Sequence, residues 1–129
     1  MPVILLDTCV LLWLAAEPSA LSPAAVRLLQ GGGECFVSAI SAFEAGQKAS
    51  AGKLLLPKPV DEWFEAMLRR HQLRELPVTG RIAARATQLP AIHRDPFDRL
   101  LIATAQQHRL TLLTPDASIA QYPNLQVAW

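Results

Sequence analysis

The sequence predicts an α/β fold of three layers: a central parallel sheet of about five short strands, covered by helices on both faces. Three observations predict it. Short apolar runs alternate with longer helical patterns, and brief loops marked by glycine, proline or serine join them. Charged residues make up only 18% of the chain, and hydrophobic residues make up 51%, as expected where a sheet is buried on both sides. A length of 129 residues suits one globular domain, residues 1–129, with a sizeable core.

Val3 to Leu6 reads as a central strand, and Thr8 can cap a helix that runs through Trp13 to Ala16 and stops at Pro18. Ser22-Pro23 supplies a cap and a first-turn proline for a second helix, which carries Val26, Leu28 and Leu29 and halts at Gly31-Gly32-Gly33. A second strand follows at Cys35 to Val37. Ser38 or Ser41 then starts a helix that includes Glu44 and ends near Gly52. Pro57 and Pro59 break the chain before an amphipathic helix, Val60 to Leu73, that buries Trp63, Phe64, Met67 and Leu68. Glu75 to Thr79 is a weak third strand, and Gly80 to Leu89 a short helix. After a loop from Pro90 to Asp95, Pro96 opens a strongly apolar helix to about His108. Strands at Thr111 to Thr114 and Leu125 to Ala128 complete the sheet.

The opening Met1-Pro2-Val3 lacks the basic region of a signal peptide, and no stretch approaches bilayer length, so a soluble, cytoplasmic protein with no membrane contact is expected. Cys9 and Cys35 have neither the number nor the spacing of a disulfide framework or zinc site and read as small hydrophobes. The net charge is +1, yet Lys48, Lys53, Lys58, Arg69, Arg70, Arg74, Arg81 and Arg85 crowd the middle of the chain. That segment could present a positive surface to a phosphate backbone, or be a solvated helical face.

Four acids stand against apolar sequence: Asp7 after Val3-Ile4-Leu5-Leu6, Glu44, Asp98 before Leu100-Leu101-Ile102-Ala103, and Asp116 after Leu112-Leu113. In a parallel sheet the strand-to-helix junctions share the carboxyl edge, where ligands bind. Asp7 and Asp116 fall at such junctions, and Glu44 lies one to two helical turns after another. Each acid also has a local role open to it. Ser41 to Glu44 fits a capping box, and Asp95-Pro96-Phe97-Asp98 fits an N-cap, a first-turn proline and a third-position acid. Capping does not explain why all four gather on one edge. Two carboxylates about 4 Å apart repel by on the order of 4 kcal/mol at an effective dielectric near 20, unless a cation joins them. An oxygen-rich site for Mg²⁺ or Mn²⁺ follows, and with it a metal-dependent phosphodiesterase. Thr8 and Thr114 flank two of the acids as auxiliary polar groups, and Arg99 can pair with a carboxylate or touch substrate. His71, His93 and His108 lack zinc spacing and read as surface or core histidines.

Leu5-Leu6-Asp7-Thr8, the segment from Val37 through Glu44 to Leu54, Asp95 to Ala103, and Leu113-Thr114-Pro115-Asp116 together resemble PIN-domain ribonucleases, specifically VapC-type toxins of bacterial type II toxin–antitoxin modules. The resemblance covers essentially the whole chain. It implies a PIN-like sheet, an acidic metal pocket of Asp7, Glu44, Asp98 and Asp116 with Thr114 beside it, and Mg²⁺- or Mn²⁺-dependent endoribonuclease activity through an activated water. It also implies an RNA substrate, a homodimer and a cognate antitoxin partner. Pro115 departs from the pattern and forces Thr114 into an extended conformation. A response-regulator receiver would need adjacent acids near the first strand and a phosphoacceptor aspartate near mid-chain, and neither is visible. A haloacid-dehalogenase-like phosphatase needs a second aspartate where Cys9 stands. A non-catalytic RNA- or protein-binding module would have no use for the intact acid set.

Overall fold

The computed structural model describes residues 2–129. Its strands are β1 (Ile4–Leu6), β2 (Cys35–Ser38), β3 (Leu73–Leu76), β4 (Thr111–Leu113) and β5 (Gln126–Ala128). The helices are α1 (Thr8–Ala16), α2 (Pro23–Gln30), α3 (Ala39–Ser50), α4 (Val60–His71), α5 (Gly80–Thr87) and α6 (Pro96–His108). Short 3-10 turns lie at Pro18–Ala20 and Ala117–Gln121. All strand pairs are parallel, in the order β3-β2-β1-β4-β5.

That order places a switch point at the centre of the sheet. From β1 the chain winds outward through β2 to β3, then returns to lay β4 on the other side of β1 and β5 beyond it. The loops leaving β1 and β4 therefore diverge, and a crevice opens between them at the carboxyl edge. Asp7 follows β1 and Thr114 follows β4, so the crevice is lined by the two junctions that carry polar residues.

Alternation along the strands builds a core on each face. Ile4, Leu6, Val37, Leu73 and Leu113 pack with Val10, Leu11, Ala25, Trp63, Phe64 and Met67 of the helices on one side. Leu5 and Leu112, paired across β1 and β4, turn the other way onto Leu101, Ile102 and Ala105 of α6, with Ile119 and Tyr122. α5 packs on α6 through Ile82, Ala86 and Ala103. Among the described residues no helix is long and apolar enough to cross a membrane.

Several boundaries move from their expected places for local reasons. Ser38, not Ser41, caps α3 by accepting from the Ile40 amide, so Glu44 stands too deep in the helix for a capping box. Asp7, not Thr8, holds the N-cap position of α1. β3 starts at Leu73 because Gln72 takes a left-handed conformation (φ 55°) that ends α4 and turns Leu73 inward. α5 is capped by Thr79 through the Ile82 amide and ends at Thr87.

Candidate metal centre

Each acid is carried to the carboxyl edge by a different element. Asp7 leaves β1 with its amide bonded to the Leu113 carbonyl of β4 (3.0 Å), which fixes it at the switch point. Its side chain makes no capping bond and is only 8% exposed. The Thr114 hydroxyl donates to Asp7 Oδ2 at 2.7 Å. Thr114 Oγ1 in turn accepts from the Asp116 amide at 3.1 Å. Thr114 is thus the joint between the two aspartates, and the extended backbone that Pro115 imposes helps to hold it there.

Burial pushes the Asp7 carboxyl above its ordinary range, despite the Thr114 hydrogen bond and the nearby Thr8 and Cys9 amides, with a further upward push from Asp116. Asp98, on the first turn of α6, is raised to about 6 by burial and by the charges of Asp95, Asp7 and Glu44. Among the described residues no hydrogen bond offsets that rise. Asp95 instead caps α6 through the Phe97 amide at 2.8 Å. Its role as a plain cap is thereby met.

Glu44 projects from α3, mostly buried, with Lys48 Nζ one turn later at 3.7 Å. Phe43 and Phe97, the residues just before Glu44 and Asp98, meet at a centroid distance of 6.0 Å and tie α3 to the start of α6. Asp116 sits on the turn after β4, where Oδ1 accepts from the Ser118 amide (3.0 Å) and hydroxyl (2.5 Å). Those bonds, led by the Ser118 hydroxyl, pull its carboxyl below the usual range, with His93 adding to the effect. Asp116 is therefore the pre-ionised member of the set, whereas Asp7 and Asp98 hold their charge reluctantly.

Of the four acids, the structure brings Asp98 and Asp116 together within one cluster, with Asp7 and Glu44 near enough to act on Asp98 as charges, and it adds one residue that sequence patterns did not single out. His93, Asp98 and Asp116 each offer a ligand atom, and the three atoms lie within 4.8 Å of one another. His93 Nε2 stands 3.1 Å from Asp116 Oδ2 and 2.9 Å from Ser118 Oγ, while Nδ1 meets the Tyr122 hydroxyl at 2.8 Å. A lone histidine in an irregular loop has no periodic signal, and only its place upstream of Asp98 hinted at this neighbourhood.

Two auxiliary residues have other work. Thr8 is buried, with its hydroxyl 2.8 Å from that of Ser41, which joins α1 to α3 beneath the acids. Among the described residues Arg99 pairs with no carboxylate. Its guanidinium donates to the carbonyls of Ala86 (3.0 Å), Leu89 (2.8 Å), Pro90 (2.9 Å) and His93 (3.1 Å), because the last turn of α5 and the irregular loop that follows it leave those carbonyls without strand or helix partners. Of the middle basic residues, Lys48 faces Glu44 and Arg74 pairs with Glu34 at 2.6 Å. Beside the acids, Cys9 is held protonated, its thiol pushed up to about 12 by burial first and by Asp7 second.

The donor set suits a divalent cation. Asp7 and Asp98 are both kept above their normal range, and among the described residues neither is paired with a lysine or arginine, so both are relieved when positive charge enters between them. A stability test follows. Asp98 titrates near 6 in the fold against 3.8 in the ordinary residue, so the metal-free fold takes up a proton across that window and gains stability as pH falls through it. Asp98→Asn should remove this gain, so its melting temperature should exceed the native protein's most at neutral pH and converge with it near pH 4. A difference that does not change with pH would contradict the assignment.

Residues 4–125 match the PIN domain family. The chain is 36% identical, over an alignment of 132 residues covering the whole of both proteins, to Ribonuclease VapC22 of Mycobacterium tuberculosis. The fold matches VapBC2 from Rickettsia felis bound to a DNA fragment from its promoter, at a TM-score of 0.71 and 16% identity over 98% of this chain and 97% of that one. It also matches a toxin-antitoxin complex from Klebsiella pneumoniae, at a TM-score of 0.64 and 21% identity over 98% and 96%. With an acid-lined crevice at the switch point of a five-stranded parallel sheet, and a family match spanning nearly every residue, the chain belongs to the PIN-domain family, among its VapC-type members.

Proposed function

We propose that the protein is a Mg²⁺- or Mn²⁺-dependent endoribonuclease that acts as the toxin of a type II toxin–antitoxin module. The observation that carries this reading is the juxtaposition of buried Asp7 with Asp98, which accepts no hydrogen bond among the described residues, at the switch point, both raised above the normal carboxylate range. Asp7, Glu44, Asp98 and Asp116 would hold the cation. When bound, it would lower the pKa of water to supply a nucleophile and offset charge growing on the scissile phosphate.

The chain's own part is placement. Thr114 fixes the Asp7 carboxylate through one oxygen and leaves the other for the cation. Ser118 fixes Asp116 through Oδ1 and leaves Oδ2 turned toward His93. Lys48 steadies Glu44 and places a positive charge beside the crevice, where a backbone phosphate would approach. Water as nucleophile does not require the 2′-hydroxyl, so RNA as substrate rests on the likeness to Ribonuclease VapC22. A cognate antitoxin rests on the likeness to the Klebsiella complex and on the sequence motifs. Within the same reading, residues 1–129 form a single PIN domain that works as a cytoplasmic homodimer.

Purified protein is expected to cut structured RNA when Mg²⁺ or Mn²⁺ is added and to stop when EDTA is added. Cleavage that persists in EDTA would refute the metal mechanism. Calorimetry that detects no Mn²⁺ binding would leave a non-catalytic binding module. Expression without an antitoxin should arrest growth, and unimpaired growth at verified expression would count against the toxin role.

A further inference from the structure

The imidazole of His93 is built into the crevice more firmly than a surface histidine would be. Its ring stacks on Tyr122 at a centroid distance of 5.4 Å. Its amide donates to the Tyr122 oxygen at 2.9 Å, and Nδ1 lies 2.8 Å from the same oxygen. Its carbonyl is gripped by Arg99. Backbone, ring plane and one ring nitrogen are therefore all fixed, and the remaining nitrogen, Nε2, faces Asp98 and Asp116. A histidine that ligates a metal is usually held in this way, with one nitrogen anchored to a polar partner so that the other is aimed.

Asp116 does not need His93 as a hydrogen-bond donor, since Ser118 already supplies two bonds to Oδ1. Asp98 receives none. The 3.1 Å between Nε2 and Asp116 Oδ2 also suits two neighbouring ligands on one ion, which stand about 3 Å apart when each bond is near 2.1 Å.

We infer that His93 Nε2 is a direct ligand, with Asp98 and Asp116, of the divalent ion, and that this nitrogen makes the site take Mn²⁺ in preference to Mg²⁺. The inference deepens the metal-dependent reading and rests on it. Carboxylate and water oxygens suit Mg²⁺ and Mn²⁺ alike, but Mg²⁺ is the harder ion and takes nitrogen poorly, whereas Mn²⁺, as a transition ion, accepts an imidazole beside its oxygens. In the neutral ring that carries its proton on Nε2, the Tyr122 hydroxyl donates a hydrogen bond to Nδ1 and Nε2–H donates to Asp116. A bound ion on Nε2 would require the other tautomer, with the ring proton on Nδ1 donated to the Tyr122 oxygen, and the count of protons would be unchanged.

The test uses untagged protein with one equivalent of Mn²⁺ and reads nitrogen couplings by pulsed electron paramagnetic resonance, with Mn²⁺ and Mg²⁺ affinities measured by calorimetry. The expected result is a directly bonded ¹⁴N signal that His93→Gln abolishes, together with a loss of about tenfold in Mn²⁺ affinity and a smaller loss for Mg²⁺. If His93→Gln fails to fold, the double variant His71→Gln/His108→Gln assigns the signal, because it should keep the coupling. Bound Mn²⁺ without a ¹⁴N coupling, or a coupling lost in that double variant, overturns the role of His93 while leaving the metal reading intact. Absence of any Mn²⁺ binding overturns both.

Discussion

Replacing Asp7 by asparagine is expected to lower RNA cleavage by about a hundredfold or more, since loss of a partner merely hydrogen-bonded to a metal ligand already costs 10–100-fold. The same change should leave the metal-free protein as stable as before or more so. Burial holds the Asp7 carboxyl above its normal range, which means that its ionised form is strained against the fold at neutral pH. Asparagine keeps an oxygen to accept from Thr114 but carries no charge to desolvate. Activity and stability should therefore move in opposite directions, which a residue that serves the fold would not do. Cleavage assays and thermal melts of the two proteins decide it. Full activity in Asp7→Asn, or a clear fall in its melting temperature, would remove Asp7 from the site.

Arg99→Ala is expected to destabilise the protein by about 3 kcal/mol, because four carbonyls lose a charged donor and hydrogen bonds to charged groups are each worth roughly 1.5–3 kcal/mol without adding fully. Denaturant unfolding measures this directly. Arg99→Lys should recover little of the loss, since one ammonium on a flexible stem cannot span the carbonyls of Ala86, Leu89, Pro90 and His93 as a planar fork does. A loss below about 1 kcal/mol, the scale of an exposed ion pair, would show that the guanidinium is replaceable by water. Because Arg99 grips the His93 carbonyl, the alanine variant should also loosen the loop beside Asp98. Its effect on cleavage would then arise from misplacement, not from lost contact with RNA.

Much of the candidate site could be proposed from the chain because its parts carry strong local signals. A carboxylate that ends an uninterrupted apolar strand, as Asp7 does, or that opens an apolar helix, as Asp98 does, is conspicuous in any sequence. The five strands were legible for the same reason, although β3 lay earlier than its pattern suggested, since a left-handed Gln72 turns the chain before Leu73. The capping box at Ser41 and Glu44 misled because local spacing cannot tell which of two serines starts the helix. The long-range packing that frees Ser38 to cap also buries Ser41 against Thr8. His93, Ser118 and Tyr122 were invisible. Their partnership depends on the loop from Pro90 to Asp95 folding back over the turn that follows β4, and no periodicity encodes that approach. Arg99 was visible as a residue but not as a clamp, for its partners are backbone carbonyls, which sequence does not display.

Asp7 and Thr114, joined by one hydrogen bond, are separated by 107 positions along the chain, and β4 reaches β1 only after all six helices and both outer crossovers on the other side have been made. A ribosome therefore releases most of the polypeptide before any cutting centre can exist. Until the turn after β4 has been made, the nascent chain lacks Thr114 and Asp116 and cannot assemble the proposed centre against the messenger that encodes it. An inhibitor need not meet the growing chain before that turn has emerged.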